Sequence, residues 1–189
     1  FWITQWAQDQ FHGVSPETPM GKSLERWSEF GNPVYLYTYY GSYGSWTFWP
    51  QVHAIAKDLP YYKQHGAIGV YSETHQHWGT QHLNFIVFSR LAWDADADVP
   101  RIVGEFCREF YGPAAEPMRR YYELLETTAE KGPAQYHLHS DIIAIFTPEV
   151  LAQLRECIDQ AQQAVAQADA VYRKRMDFDS AGFRQADLY

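Results

Sequence analysis

The pattern of hydrophobic positions changes near residue 95. Up to that point, short apolar or aromatic runs alternate with amphipathic helical patterns, and beyond it apolar residues recur at helical spacing only. The runs predict strands at residues 1–8, 34–40 and 67–71, and the patterns between and after them predict helices at 23–30, 52–65 and 81–93. Strands that alternate with helices are parallel and joined by right-handed crossovers, so we expect an α/β barrel or an open α/β sheet.

Short-range signals predict where several helices begin and end. Ser23 is the expected N-cap of the first helix, and Gly66 follows the second helix at the place of a C-terminal glycine. Asp98 and Thr147 are the expected N-caps of later helices, and Thr147 precedes a proline suited to the first helical position. The second half is therefore predicted to consist of helices that pack directly on the strand-bearing part.

The third predicted strand ends abruptly in polar and aromatic residues, among them Glu73, His75, Gln76 and Trp78. Its continuous apolar character is typical of a parallel strand that is covered on both faces. In parallel sheets and barrels, reactive groups lie at the carboxyl ends of the strands. Glu73 is therefore the leading catalytic candidate, and the alternative is a glutamate that caps or ion-pairs at a strand-to-helix turn.

Aromatic residues make up 17% of the chain and concentrate between residues 35 and 49. Aromatic rings in a cleft bind ligands with apolar C–H faces, and phenol and indole groups add hydrogen bonds, so sugars are the expected ligands. The alternative for each ring is a place in an aromatic-rich core. The residues expected to bind sugar are Tyr37, Tyr39, Trp46, Trp49, His75, Gln76 and Trp78, with Asp9 and His12 at the end of the first strand.

Charge and motifs exclude several classes of function. A net charge of −8 at pH 7 makes a nucleic-acid backbone a poor partner and repels anionic membranes, and no run is long enough to span a membrane. The glycines form no dinucleotide or phosphate fingerprint, and no nucleophile elbow is present, so we expect no cofactor and no Ser/His/Asp chemistry. Cys107 and Cys157 are too few for a disulfide framework and are predicted to be core thiols on helices.

A metal site is a competing interpretation of the same polar residues. His75 and His77 are two residues apart and would share one face of an extended segment, and Asp9 or His12 could supply further ligands. A His-x-His pair alone is a weak metal signal, because a site needs more ligands and groups that orient them. We therefore expect no bound metal.

After these exclusions, the remaining class of function is catalysis by carboxyl groups on a ligand that aromatic side chains bind. Glycoside hydrolysis usually needs two carboxyl groups, about 5–5.5 Å apart for retention and about 6.5–9.5 Å apart for inversion. Glu73 is one candidate. Asp9 is a possible second unless it caps a loop, and strands beyond the three predicted here are the other source.

Several segments occur together in the order seen in a known protein family. They are residues 24–27, 33–39, 58–62, 66–73, 90–94 and 109–115. In that order they resemble a large bacterial family, formerly described as a domain of unknown function, whose characterised members are family 163 glycoside hydrolases. The resemblance extends from residue 24 to the last helix.

The resemblance implies the C-terminal strands and helices of a (β/α)8 TIM-type barrel over residues 1–95, followed by a helical extension over residues 96–189. It also implies that the missing N-terminal half of the barrel is a partner and that the protein is exported. Glu73 matches the family's acidic position after its Gly-Val-aromatic strand, and Tyr37 and Tyr39 match aromatic positions of the preceding strand.

The activity that the resemblance implies is that of an endo-β-N-acetylglucosaminidase acting on N-glycans. Thr38 departs from relatives that carry Asp or His at its position. The resemblance therefore supports the class of reaction more strongly than it supports the identity of the glycan substrate. We therefore predict a glycoside hydrolase of N-acetylglucosamine-containing oligosaccharides, with Glu73 as acid/base or nucleophile, and we expect this part of the barrel to be inactive alone. The substrate's acetamido oxygen could replace an enzyme nucleophile. A noncatalytic carbohydrate-binding protein is the alternative, and a metal-dependent hydrolase is the third option.

Overall fold

The computed structural model describes residues 2–4, 9–41, 47–74, 77–135 and 142–188, apart from the side chains of Trp2 and Ile143. The chain is mixed α/β and mostly helical, with one small parallel sheet. The strands are β1 (Trp2–Thr4), β2 (Val34–Thr38) and β3 (Ala67–Ser72). The helices are α1 (Pro19–Ser28), α2 (Val52–Gln64), α3 (Trp78–Trp93), α4 (Val99–Tyr111), α5 (Ala115–Lys131), α6 (Ile142–Ile145), α7 (Pro148–Val165) and α8 (Ala170–Asp187).

The three strands are parallel and lie in the order β1, β2, β3. Leu36 in the middle of β2 is paired with Ile3 of β1 and with Val70 of β3. Helices α1 and α2 make the two crossovers. The parallel arrangement predicted from the alternation of strands and helices is therefore confirmed, and the carboxyl ends of all three strands lie at one edge of the sheet.

One face of the sheet is covered by helices and the other is open. Val34 and Leu36 are fully buried in a cluster with Leu24 of α1 and Tyr62 of α2. On the opposite face, Tyr35 is 36% exposed and Tyr71 is 51% exposed. Parallel sheets normally have both faces covered, so this sheet has a face on which a further layer is expected.

Most of the predicted helix boundaries are confirmed, but two helix starts are wrong: α3 begins at Trp78, three residues before the predicted start, and α1 also begins early. The side chains of Asp98 and Thr147 accept the N–H groups of Arg101 and Val150 at the starts of α4 and α7, and Gly66 has a φ of 82° just after α2. Ser23 is not an N-cap. The helix begins four residues earlier, because the hydroxyl of Thr18 accepts the N–H of Gly21 and Pro19 occupies the first helical position.

The helices after Asp98 share one hydrophobic core with α2 and α3. Helix α3 crosses α8 so closely that a Cβ on Gly182 would lie 2.4 Å from the carbonyl oxygen of Gly79. Cys107 and Cys157 are free thiols on α4 and α7, as predicted. Among the described residues, no helix is both long enough and apolar enough to cross a membrane.

Candidate functional site

Glu73 directly follows β3 at the carboxyl edge of the sheet. Its backbone N–H donates to the carbonyl of Thr38 at 3.1 Å, so the ladder between β2 and β3 continues up to Glu73. Its side chain is partly exposed and accepts a hydrogen bond at Oε1 from the hydroxyl of Tyr37. The carboxylate is therefore held against β2 while it remains accessible to solvent.

The hydrogen bond between Tyr37 and Glu73 determines the protonation of the phenol. The bond, together with desolvation and the negative charge of the carboxylate, raises the pKa of Tyr37 to about 12. Tyr37 therefore stays protonated at neutral pH and acts as a donor.

Two further tyrosine rings pack against the Tyr37 ring of this pair. The ring of Tyr37 lies 5.3 Å from that of Tyr39 and 5.1 Å from that of Tyr71. Tyr39 is 8% exposed, so it supports Tyr37 rather than presenting a ring to solvent, whereas Tyr71 is half exposed. Tyr71 was not among the predicted site residues. Its alternation with Glu73 along β3 and its pairing with Tyr37 across the sheet were the signals that could have found it.

Thr38 is the last residue of β2 at this edge, and Trp78 follows Glu73 along the chain at the start of α3. Thr38 is fully buried and its hydroxyl donates to the carbonyl of Tyr71 at 3.0 Å, so it links β2 to β3. Trp78 is the first residue of α3, is 42% exposed and packs beside Phe85. An indole at this place offers a flat apolar surface close in sequence to Glu73.

Trp49 lies in the core. Its side chain is 1% exposed, its indole N–H donates to the side-chain oxygen of Gln10 at 2.8 Å, and its ring packs on that of Phe11. The structure therefore gives Trp49 the packing role that was the alternative to sugar binding.

The structure places Asp9 and His12 at the end of α5. Asp9 accepts the N–H groups of Phe11 and Gln135 at 3.1 Å each, and its other oxygen lies 2.5 Å from Nδ1 of His12. The Nε2 atom of His12 lies 3.0 Å from the carbonyl oxygen of Glu130. These contacts join the loop after β1 to α5, which is the loop-capping alternative considered for Asp9.

Three of the predicted site residues, Trp46, His75 and Gln76, lie outside the described residues. Within the described ranges, no three His, Cys, Asp or Glu side chains come together in a way that could hold a metal ion. The chemistry that the described residues support is that of a carboxylate, a phenol that donates to it, and two partly exposed aromatic rings.

Behind α3 lies a buried polar cluster that the sequence did not reveal. Nε2 of His82 on α3 lies 3.2 Å from the hydroxyl of Tyr111 and 3.1 Å from that of Tyr122, and it is 3.7 Å from Asp179 on α8. Burial raises the pKa of Asp179 to about 7 and lowers the pKa of His82. The cluster joins α3, α4, α5 and α8.

Comparison with known proteins gives one match. Residues 3–123 match the model of a family described as "Domain of unknown function (DUF4838)". No curated protein and no solved structure matches the chain.

Proposed function

Since the chain belongs to the DUF4838 family, whose description assigns no activity, we propose a function from the chemistry of the site: hydrolysis of a glycosidic bond in an N-acetylglucosamine-containing glycan. The observation that carries the proposal is the position of Glu73. It follows a parallel strand at the sheet edge where such folds place their reactive groups, and it is paired with a tyrosine donor.

Two aromatic side chains, one packed on Tyr37 and one at the start of α3, support a sugar as the ligand. Tyr71 and Trp78 are partly exposed, and aromatic faces of this kind stack on the C–H faces of pyranose rings. Hydroxyl groups of the sugar would find acceptors and donors at Glu73 and Tyr37. Endo-β-N-acetylglucosaminidase activity is the specific form of this proposal.

Glu73 could take either of two catalytic roles. A general acid must be protonated before it acts, whereas a nucleophile or base must be ionised. In either role, the hydrogen bond from Tyr37 would fix the orientation of the Glu73 carboxylate towards the substrate. A second carboxyl group, or the acetamido oxygen of the substrate, would complete the scheme.

A (β/α)8 barrel is the architecture that we propose for the complete catalytic unit. Residues 1–95 would form its C-terminal part and residues 96–189 the helical extension. The open sheet face supports this, because the aromatic side chains of Tyr35, Tyr37 and Tyr71 would point into the barrel interior while α1 and α2 cover the outside. The remaining strands of the barrel would then be the source of the missing carboxylate.

The decisive experiment is the Glu73→Gln substitution in the full-length protein. The rate of glycan release from a labelled N-glycopeptide should fall at least about 100-fold, because the amide cannot act as nucleophile or base. The matched control is Glu109→Gln, an exposed glutamate on α4, which should leave turnover unchanged. Unchanged turnover in Glu73→Gln would end the catalytic proposal.

Noncatalytic sugar binding is the second candidate, and the exposure of Tyr71 and Trp78 is the observation that favours it. Under that proposal, Tyr71→Ala or Trp78→Ala would weaken oligosaccharide binding, while the wild-type protein would release no product from any N-glycopeptide tested. Binding and turnover measured on the same variants therefore separate the two functions.

A further inference from the structure

A cleft of about 370 Å³ opens between α2, α4 and α5. This volume is within the range of small-molecule sites in proteins. Its apolar wall is formed by Val52 and Ala56 of α2, Leu83 of α3, and Val99 and Val103 of α4. None of the residues that line it belongs to the surface around the candidate catalytic glutamate, so the cleft is a separate feature of the molecule.

The opposite wall is one face of α5, on which Glu123, Glu126 and Glu130 follow one another at helical spacing. Glu126 is 6% exposed, and its carboxylate oxygens accept the backbone N–H groups of Val52 and His53 at 2.9 and 3.0 Å. A glutamate from α5 thus caps the N-terminus of α2 at the floor of the cleft.

The lysine and the arginine that line the cleft are bound to other carboxylates. Lys57 Nζ lies 2.9 Å from one oxygen of Glu130, and the other oxygen of Glu130 lies 3.0 Å from Nδ1 of His53. Arg119 is bound to Glu116 at 2.9 Å. Glu126, in contrast, accepts its hydrogen bonds from backbone groups without net charge, and burial raises the pKa of its carboxyl to about 7.

We propose that this cleft binds a small organic ammonium ion. The apolar body would pack against the wall that α4 contributes, and the ammonium would lie beside Glu123 and Glu126. Such a cation supplies the buried carboxylate with a counter-charge at short range in a partly desolvated place, where Coulombic attraction is stronger than in water. An anion of the same size would be repelled by Glu123 and Glu126, because Glu130 is already paired with Lys57.

Three matched probes test the charge requirement at pH 8: 2-phenylethylammonium, 2-phenylethanol and 3-phenylpropionate. Amide chemical shifts or calorimetry would give the dissociation constants. We expect the ammonium to bind saturably and about tenfold more tightly than the alcohol. The affinity for 3-phenylpropionate should be lower than the affinity for either of these probes. The shifts should be confined to residues of α2, α4 and α5 that line the cleft.

Substitutions locate the site. Val103→Phe fills the cleft and should abolish binding of the ammonium, whereas Val171→Phe, the same change at an exposed position on α8, should not. Glu126→Gln should bring the affinity for the ammonium close to that for the alcohol. Glu123→Gln removes a charge without disturbing the cap of α2. It should weaken the binding of the ammonium and leave the binding of the alcohol unchanged.

The proposal is overturned by any of three results. They are equal affinities for the ammonium and the alcohol, undiminished binding to Val103→Phe, and the absence of binding of the ammonium to the wild type at about 10 mM.

Discussion

The buried carboxyl of Asp179 gives the sharpest prediction about stability. Asp179 is 2% exposed on α8, between the hydroxyls of Tyr111 and Tyr122 and the imidazole of His82. Burial disfavours its charged form, so its pKa rises from the ordinary 3.8 to about 7. An acid whose pKa is raised by folding stabilises the folded state fully below pH 3.8, and that stabilisation is lost as the pH rises towards 7.

The size of the effect on the free energy of unfolding follows from the rise in the pKa of Asp179. Each pKa unit corresponds to about 1.4 kcal/mol, so ionising Asp179 at pH 8 costs the folded state on the order of 4 kcal/mol. Asparagine has the shape of the protonated acid and does not ionise. Asp179→Asn should therefore match the wild type near pH 4 and exceed its free energy of unfolding by on the order of 4 kcal/mol at pH 8.

The assay is urea unfolding of both proteins between pH 4 and pH 8. Subtracting the two curves cancels the contribution of titrating groups that do not interact with Asp179, so the remaining pH dependence belongs to Asp179 and its neighbours in the cluster. Asp177→Asn is the matched control, because Asp177 is an exposed aspartate two residues earlier on the same helix. It should not raise the free energy of unfolding at pH 8 by a comparable amount, because its carboxyl is not buried.

One result would refute this reasoning. If Asp179→Asn is less stable than the wild type at pH 8, Asp179 is held ionised by a protonated His82, and the 3.7 Å pair outweighs the cost of burying both charges. We expect the opposite, because burial also lowers the pKa of His82 and keeps its imidazole neutral at pH 8.

Two further predictions concern the sheet edge and the helix crossing. Tyr37→Phe removes the donor that orients Glu73, so under the proposed function the rate of glycan release should fall about tenfold, and an unchanged rate would exclude the proposed role of Tyr37. Gly182→Ala places a Cβ 2.4 Å from the carbonyl oxygen of Gly79 and should lower the free energy of unfolding by about 1–3 kcal/mol. Gly104→Ala, where an added Cβ meets nothing within 4 Å, should instead raise the free energy of unfolding slightly. Equal effects of the two substitutions would contradict the close contact between α3 and α8.

Features set by neighbouring residues could be predicted from the sequence. The caps at Asp98 and Thr147 and the glycine at position 66 depend on a few residues on either side, and all three are found. The exception, Ser23, shows the limit. Two capping signals stood within five residues of each other, and Thr18 formed the cap because it is followed by a proline.

Features set by contacts between distant segments could not be predicted. Glu126 and Asp179 occur in helices rich in charged residues, and nothing local shows that their side chains point inwards to the N-terminus of α2 or to His82. The burial of Trp49 likewise depends on its contact with Gln10, 39 residues away. The position of Glu73 at the end of a strand was predictable because strand and polar residue are adjacent, whereas its bond to Tyr37 depends on the register between β2 and β3.

Strand β3 also has a practical consequence. It reads Ala-Ile-Gly-Val-Tyr-Ser, without a charge or a proline, and it is the last strand in the order of the described sheet, with Ile68 61% exposed. Bare strands of this kind recruit other chains and promote aggregation unless something covers them. The protein should therefore self-associate or precipitate wherever this strand is left uncovered, and Ile68→Lys should raise its solubility.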